Sequence, residues 1–132
     1  MVRRFVPDGV APPASRYSHG AEVGAGARGL YVAGQIGVDP SGAILQGVAA
    51  QAAQCFKNID AVLAGGGMDR TNLVSITVYA VEAAREEAVA AYRDARDAWL
   101  DGCEPPAATF LIVSGLAHPD LLIEIEAIAA AE

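Results

Sequence analysis

Residues 48–81 read VAAQAAQCFKNIDAVLAGGGMDRTNLVSITVYAV, and this stretch holds a helix, its stop signal and a strand in succession. Apolar side chains recur every three or four positions over residues 48–64, which predicts an amphipathic helix. Three glycines at 65–67 end it, because glycine readily takes the left-handed conformation found just past a helix. Residues 73–81 then predict a strand. The helix is expected to bury Ala49, Ala52, Ala53, Phe56, Ile59 and Leu63.

The predicted strand at 73–81 has two unlike faces. Side chains alternate between the two faces of a strand, so every second residue lies on the same face. One face carries only apolar residues, whereas the other is mixed. A mixed face suits a subunit interface or a binding site better than a dry core. The apolar face comprises Val74, Ile76, Val78 and Ala80, and the mixed face comprises Ser75, Thr77 and Tyr79.

The rest of the chain supplies more strands and a second helix around this unit. Asp39-Pro40-Ser41-Gly42 is a strong turn signal. The second helix is expected to bury Tyr92 and Trp99 and to turn its charged residues, Arg93 and Arg96 among them, largely outward. The remaining predicted elements are an extended entry at 7–15, strands at 29–36 and 43–45, the helix at 83–100, and strands at about 107–114 and 121–130.

This order of elements predicts an α+β fold in which two helices cover one face of a mixed β-sheet. The length of 132 residues suits a single domain spanning 1–132. Two helices cannot cover both faces of the sheet. Association of several copies is therefore the economical way to cover the other face.

Composition excludes several classes of function. The chain is 53% hydrophobic and carries a net charge of −7, with nine scattered Lys and Arg residues against sixteen acids. Nucleic-acid binding needs clustered cations, so no nucleic-acid partner is expected. No segment approaches the length of a membrane span, and no apolar leader follows the N-terminal arginines. Cys55 and Cys103 form no C-x-x-C pair, which indicates reduced thiols in a cytoplasmic protein.

No metal or cofactor is expected either. The two histidines, His19 and His118, have no metal-ligand spacing with each other or with a cysteine. Gly24-Ala25-Gly26 precedes a predicted strand and Gly65-Gly66-Gly67 follows a helix. Neither run of glycines opens a helix, which a phosphate-binding loop requires.

Four segments in this order resemble the Rid family, also known as RidA/YjgF or L-PSP-type proteins. They are YSHG at 17–20, YVAGQI at 31–36, PPAAT at 105–109 and IEIEAIA at 123–129. The resemblance covers roughly residues 10–130. It implies a chorismate-mutase-like, YjgF-type fold assembled as a homotrimer. It also implies that small molecules bind in clefts between the subunits.

The resemblance carries site roles onto three residues. Glu124 matches the Glu thought to position the water that attacks an imine, and Tyr17 matches a tyrosine near the cleft. Both are assigned as catalytic. Gly34 matches a substrate-binding glycine, whose missing Cβ lets a ligand approach the backbone or simply serves strand packing. Glu126 lies two residues after Glu124, on the same strand face about 6–7 Å away, and is expected to be structural.

The segment at 105–109 departs from the family pattern. The family's deaminases carry an arginine two residues after the proline, where it binds the substrate carboxylate, and that position here is Ala108. Ala107, Ala108 and Thr109 are assigned as substrate-binding. A cleft asparagine of the family's second helix falls at Ala90 or Ala91. Arg16 is expected to point away from the face of Tyr17.

Three functions follow from these observations. The first is an imine or enamine deaminase, or a related hydrolase, whose substrate is not held by the usual arginine. The second is a non-catalytic trimer that binds a metabolite or a partner protein. The third is the endoribonuclease activity attached to the L-PSP name, which the acidic balance disfavours.

Overall fold

The computed structural model describes residues 2–132, which form two α-helices and six β-strands. The helix and the strand predicted within residues 48–81 are confirmed, and so are the second helix and the last two strands. Their bounds differ from the predicted ones by no more than two residues at any end. The elements are β1 (Val2–Phe5), β2 (Gly20–Val23), β3 (Arg28–Ile36), α1 (Val48–Gly65), β4 (Leu73–Val81), α2 (Arg85–Trp99), β5 (Ala107–Val113) and β6 (Ile123–Ala131).

The main sheet has four strands in the order β3-β6-β4-β5. Strand β6 runs antiparallel to both of its neighbours, β3 and β4. Strands β4 and β5 are parallel, because the crossover through α2 returns the chain to the same end of the sheet. The sheet is therefore mixed, as predicted. A separate antiparallel pair is formed by β1 and β2, which the sequence analysis did not predict.

Both helices pack on one face of this sheet and enclose the core. Ile59 and Leu63 of α1 are fully buried against the inward residues of β4 and β6. Phe56 stacks on Trp99 of α2, with their ring centroids 4.4 Å apart. The Trp99 indole N–H donates to the Asp60 carboxylate at 2.9 Å. The indole nitrogen is therefore hydrogen-bonded where the two helices meet.

The other face of the sheet is uncovered in the single chain. Ser75, Thr77 and Tyr79 on this face are half-buried, whereas Ile76 and Val78 on the helix face are buried. The predicted difference between the two faces is therefore confirmed for residues 75–80. At the start of the strand it is wrong, because a register shift between Leu73 and Ser75 buries Leu73 and leaves Val74, predicted on the apolar face, half-buried. Exposed apolar side chains lie on the neighbouring strands of the same face, namely Tyr31, which is 78% exposed, and Ile128 and Leu111.

The expected burial along α1 was partly wrong. Ala49 and Ala53 are exposed, whereas Gln51 is buried. The Gln51 side-chain amide donates to the carbonyls of Leu45 and Asp120, both at 2.9 Å. A polar side chain is stable in the core when its hydrogen bonds are made, and polarity in the sequence does not reveal such partners.

Arg96 in α2 was also expected to face solvent and is instead buried, with 3% exposure. Its guanidinium donates to Ser15 Oγ at 2.9 Å and to Asp97 Oδ1 at 3.0 Å, and it lies over the ring of Tyr92. The carboxylate and the ring compensate the cost of removing this cation from water.

The turn predicted at 39–42 and the glycines that end α1 take the expected conformations. The Asp39 carboxylate accepts hydrogen bonds from the main chain of Ser41 and Ala43, which confirms the turn at 39–42. The short strand predicted at 43–45 is reduced to a single bridge between Val38 and Ile44. After α1, the left-handed conformation occurs at Gly67, whose φ is +70°.

A second turn, between α1 and β4, makes the stability of the fold sensitive to acid. The Asp69 carboxylate accepts hydrogen bonds from the Thr71 hydroxyl and main-chain N–H, and these bonds lower the pKa of Asp69 below its ordinary value. The unfolded chain therefore binds this proton more readily. The contribution of Asp69 is complete above the ordinary aspartate pKa, near 4, and is lost as the pH falls through the lower, folded value.

We expect Asp69→Ala to lower the free energy of unfolding at pH 7 by about 1 kcal/mol, as for the loss of a capping side chain. The loss should shrink as the pH falls below about 4. Urea denaturation at several pH values measures both effects. Asp101→Ala is the control, because Asp101 is exposed and has no side-chain partner among residues 2–132. An equal loss in both variants would show that the turn contributes nothing specific.

Candidate functional site

Strand register divides the predicted site residues between the two faces of the main sheet. On β5, Ala108 lies opposite Ile76 and packs against the core, so its side chain faces α2. Its neighbours Ala107 and Thr109 alternate to the open face. Glu124 on β6 lies opposite Tyr79, also on the open face. Ala108 and Glu124 of one chain therefore point to opposite sides of the sheet.

Glu124 lies against Gly34 of β3. A Cβ atom at Gly34 would lie 1.9 Å from Glu124 Oε2, so the absent side chain leaves the space that the carboxylate occupies. The ladder between β3 and β6 is irregular between Val32 and Gln35, which is where Gly34 lies. The open space at Gly34, interpreted from sequence as room for a ligand or for packing, holds the protein's own carboxylate.

Glu124 and Glu126 share a strand face and differ in their partners. The Tyr79 hydroxyl donates to Glu126, and this bond, with partial desolvation and the negative charges of Glu126 and Glu124, raises the pKa of Tyr79. Tyr79 therefore keeps its proton at neutral pH and holds Glu126. Among residues 2–132, no hydrogen bond or ion pair holds the Glu124 carboxylate. Glu124 is thus the one of the two that can accept a proton from, or orient, an incoming molecule.

A cavity of about 240 Å³ lies on the other side of β5, between that strand and α2. Tyr17 contributes to its wall from the N-terminal segment. The Tyr17 ring meets His19 edge to face, with centroids 5.4 Å apart, and a ring nitrogen of His19 hydrogen-bonds to the carbonyl of Ala11 at 2.7 Å. Its lining includes Ser15, Tyr17, Tyr92, Arg93, Arg96 and Ala108, and also Thr109 of the edge strand β5.

Two arginines, Arg93 and Arg96, line this cavity, and their place in a site was not predicted from the sequence. Arg96 lies four positions after Tyr92, on the same helix face, so the predicted burial of Tyr92 could have pointed to Arg96 as its neighbour. Arg16 does not enter the cavity. It donates instead to the carbonyls of Leu100 and Cys103, at 2.8 and 3.0 Å, just past the end of α2.

A further cavity, of about 350 Å³, opens on the uncovered face of the sheet. Its wall includes Tyr31 and Ala33 of β3, Ser75 and Thr77 of β4, and Glu126 of β6. Hydroxyl, carboxylate and apolar groups alternate along this wall. Such a mixture is characteristic of the rim of an interface or of a ligand site.

Cys55 is not a candidate nucleophile. Cys55 is buried, its thiol donates to the carbonyl of Gln35 at 3.1 Å, and burial raises its pKa to about 12, with a further increase from the charge of Glu124. The thiol therefore stays protonated and is a poor nucleophile. Within residues 2–132, no three His, Cys, Asp or Glu side chains are grouped as metal ligands would be. No helix in the same range is long and apolar enough to cross a membrane.

Residues 9–131 match the family model described as Endoribonuclease L-PSP. The chain is 41% identical over 81 residues to the human protein named 2-iminobutanoate/2-iminopropanoate deaminase. That match covers 59% of this chain and 57% of the human protein, so the chain spans little more than half the length of this relative.

Solved structures resemble the chain over a greater length. The Rid-family protein YyfB from Yersinia pestis, described as of unknown function, superposes with a TM-score of 0.89 and is 32% identical, over 98% of both chains. TdcF from E. coli, solved with bound serine, superposes with a TM-score of 0.71 and is 25% identical, over 98% of this chain and 100% of TdcF.

Proposed function

The chain belongs to the Rid family, and from this premise we propose that it hydrolyses imines or enamines in clefts between the subunits of a homotrimer. The human relative's name supports deamination of 2-imino acids as the reaction class. Glu124 and Tyr17 are the proposed catalytic residues. Gly34 and the segment at 107–109 complete the proposed substrate site.

The observation that carries this proposal is that the predicted site residues form two groups on different strands of the sheet. Tyr17 and Ala108 line the cavity beneath α2, whereas Glu124 and Gly34 meet on β6 and β3. Strand β4 lies between these two groups within one chain, because the strand order is β3-β6-β4-β5. Two copies of the chain can bring them together, with one group from each copy.

The uncovered face of the sheet supports the assembly itself. Tyr31, Ile128 and Leu111 expose apolar surface on this face, beside the half-buried hydroxyls of β4. Contiguous apolar surface with a polar rim is typical of contact between proteins. A ring of copies would cover this face and close the cleft in the same step.

The reaction follows from what the Glu124 carboxylate can do. Glu124 accepts a proton from water as the water oxygen bonds to the imine carbon, and the carbon–nitrogen double bond becomes a single bond. That proton passes to nitrogen to give a carbinolamine. The hydroxyl proton then moves to nitrogen through the same carboxylate, and the carbon–nitrogen bond breaks to release ammonia as the carbonyl forms. Overall, one water and one imine give one carbonyl compound and one ammonia. A positioned general base of this kind contributes about 10²–10⁴-fold to the rate.

The proposal is tested by generating 2-iminopropanoate with an amino-acid oxidase and trapping the remaining imine with semicarbazide. Wild-type protein should divert the imine to the keto acid and lower the yield of semicarbazone in proportion to its concentration. Heat-denatured protein is the control. A yield that does not change with added wild-type protein would contradict the proposed reaction.

Ala108 favours a second candidate, a trimer that binds a metabolite without turning it over. Alanine cannot form the paired hydrogen bonds by which a guanidinium holds a carboxylate. A binding protein would take up the keto acid or the amino acid and leave the rate of imine hydrolysis unchanged. The trapping assay and a binding titration together separate the two functions.

An endoribonuclease is disfavoured by the placement of the cations. Most arginines are held in pairs with acids, such as Arg3 with Glu22, or bound to main-chain carbonyls, as Arg4 is to Leu73. Among residues 2–132, only Lys57 and Arg93 have no partner. Two unpaired cations do not make the row of contacts that an RNA backbone needs.

A further inference from the structure

We propose that Arg93 of α2 binds the substrate's carboxylate in this site and replaces the guanidinium that is absent from position 108. This inference rests on the proposed function and names the residue that makes the site selective for an anionic imine. Arg93 and Ala108 line the same cavity, from the helix and from the strand respectively. A guanidinium therefore lies at the cavity that position 108 borders, and it comes from the helix and not from the strand.

Arg93 is available for a ligand. It is exposed and has no hydrogen bond or ion pair among residues 2–132. Asp97, one helical turn further on, is the acid placed to neutralise it, but the Asp97 carboxylate accepts two hydrogen bonds from Arg96 instead. A free guanidinium at the wall of a cavity can bind a carboxylate with two parallel hydrogen bonds.

Arg96 serves as the support for Arg93 and not as a second ligand group. It is buried, its charge is compensated by Asp97, and its remaining contact holds Ser15 at the cavity wall. The ring of Tyr92 lies beneath it. Arg96 and Tyr92 are thus held by contacts within the chain, and Arg93 is the cation of this cavity whose hydrogen-bond donors are free.

The small side chain at 108 fits this arrangement. Ala108 faces α2, and an arginine there would enter the cavity that Arg93 already borders, placing two unpaired cations beside each other. Like charges at short range destabilise one another. An arginine at 108 and an arginine at 93 are therefore alternatives, and this chain has the second.

The experiment is a calorimetric titration of purified protein with 2-oxobutanoate and, in parallel, with its uncharged methyl ester. Arg93→Gln should weaken binding of 2-oxobutanoate by roughly tenfold to a hundredfold, as expected for losing hydrogen bonds to a charged group. It should leave binding of the ester unchanged. Arg85→Gln is the matched control, because Arg85 is also on α2 but pairs with Glu82, away from the cavity. Equal affinities of wild type and Arg93→Gln for 2-oxobutanoate would overturn the inference.

Imine hydrolysis by the same proteins separates failure of the inference from failure of the proposed function. Wild-type hydrolysis with a KM that Arg93→Gln raises and a kcat that it leaves nearly unchanged supports both. Wild-type hydrolysis with a KM that Arg93→Gln does not change retains the function and overturns the role of Arg93. A wild type that neither hydrolyses the imine nor binds 2-oxobutanoate overturns both.

A compensating variant guards against a general defect in α2. In Arg93→Gln/Ala108→Arg, the guanidinium returns to the cavity from the strand, without a second cation beside it. Affinity for 2-oxobutanoate should recover to within a few-fold of wild type, since the group and its location are restored. A well-folded double variant that stays as weak as Arg93→Gln would contradict a shared carboxylate site.

Discussion

Glu124→Gln is expected to lower kcat for imine hydrolysis by about 10²–10⁴-fold while leaving the fold intact. The amide has the shape of the carboxylate but cannot accept the proton of the attacking water. Because Gly34 leaves space for the side chain, the substitution introduces no new contact. The trapping assay measures the rate, and thermal unfolding checks that the protein is folded.

Glu126→Gln is the matched control for this substitution, on the same strand and the same face. Its partner is Tyr79, which lies within the same chain, so it has no assigned part in the chemistry. Its kcat should stay within a few-fold of wild type. A loss of activity equal in the two variants would mean that the pair acts as a unit, or that Glu124 has no separate role.

Gly34→Ala is expected to lower activity by about 10²-fold, the effect of displacing a catalytic group by about an ångström. The new Cβ would lie 1.9 Å from Glu124 Oε2, so the carboxylate must move. The backbone of β3 at this position is extended, so the effect comes from the contact and not from backbone strain. Activity measured beside Glu124→Gln should fall in the same direction by a smaller factor.

Gly29→Ala separates this effect from the general cost of adding a side chain to β3. At Gly29 the new Cβ would meet only the ring of Tyr31, at 3.6 Å, an ordinary contact. Activity and thermal stability should stay close to wild type. If Gly34→Ala is as active as Gly29→Ala, the close packing of the Glu124 carboxylate against Gly34 does not matter for the reaction.

Strong local patterns made most of the fold predictable. The periodicity of α1 and the alternation of β4 are properties of neighbouring residues, and both elements occur where the sequence predicts them. The β1–β2 pair was missed because it depends on distant contacts. Arg4 of β1 donates to the carbonyls of Thr71 and Leu73, which no local pattern encodes.

The candidate site was less predictable, for a related reason. The contact between the Glu124 carboxylate and Gly34 depends on the register of β3 and β6, whose contacting residues are far apart in sequence. Arg93 and Arg96 were assigned to solvent by their polarity alone. Arg93 is exposed, as predicted, whereas Arg96 is buried and paired with Asp97, and both line the cavity that contains Ala108.

Mixing two inactive variants tests the division of the site between copies most directly. Glu124→Gln lacks the carboxylate on β6, and Tyr17→Ala lacks the side chain that lies beside β5. The two are co-expressed or refolded together, and native mass spectrometry verifies that mixed oligomers form. If each site takes one group from each copy, random mixing should restore about a quarter of wild-type sites, well above the activity of either variant alone. Mixed oligomers that show no recovery, or a protein that is monomeric at micromolar concentration, would contradict a site shared between subunits.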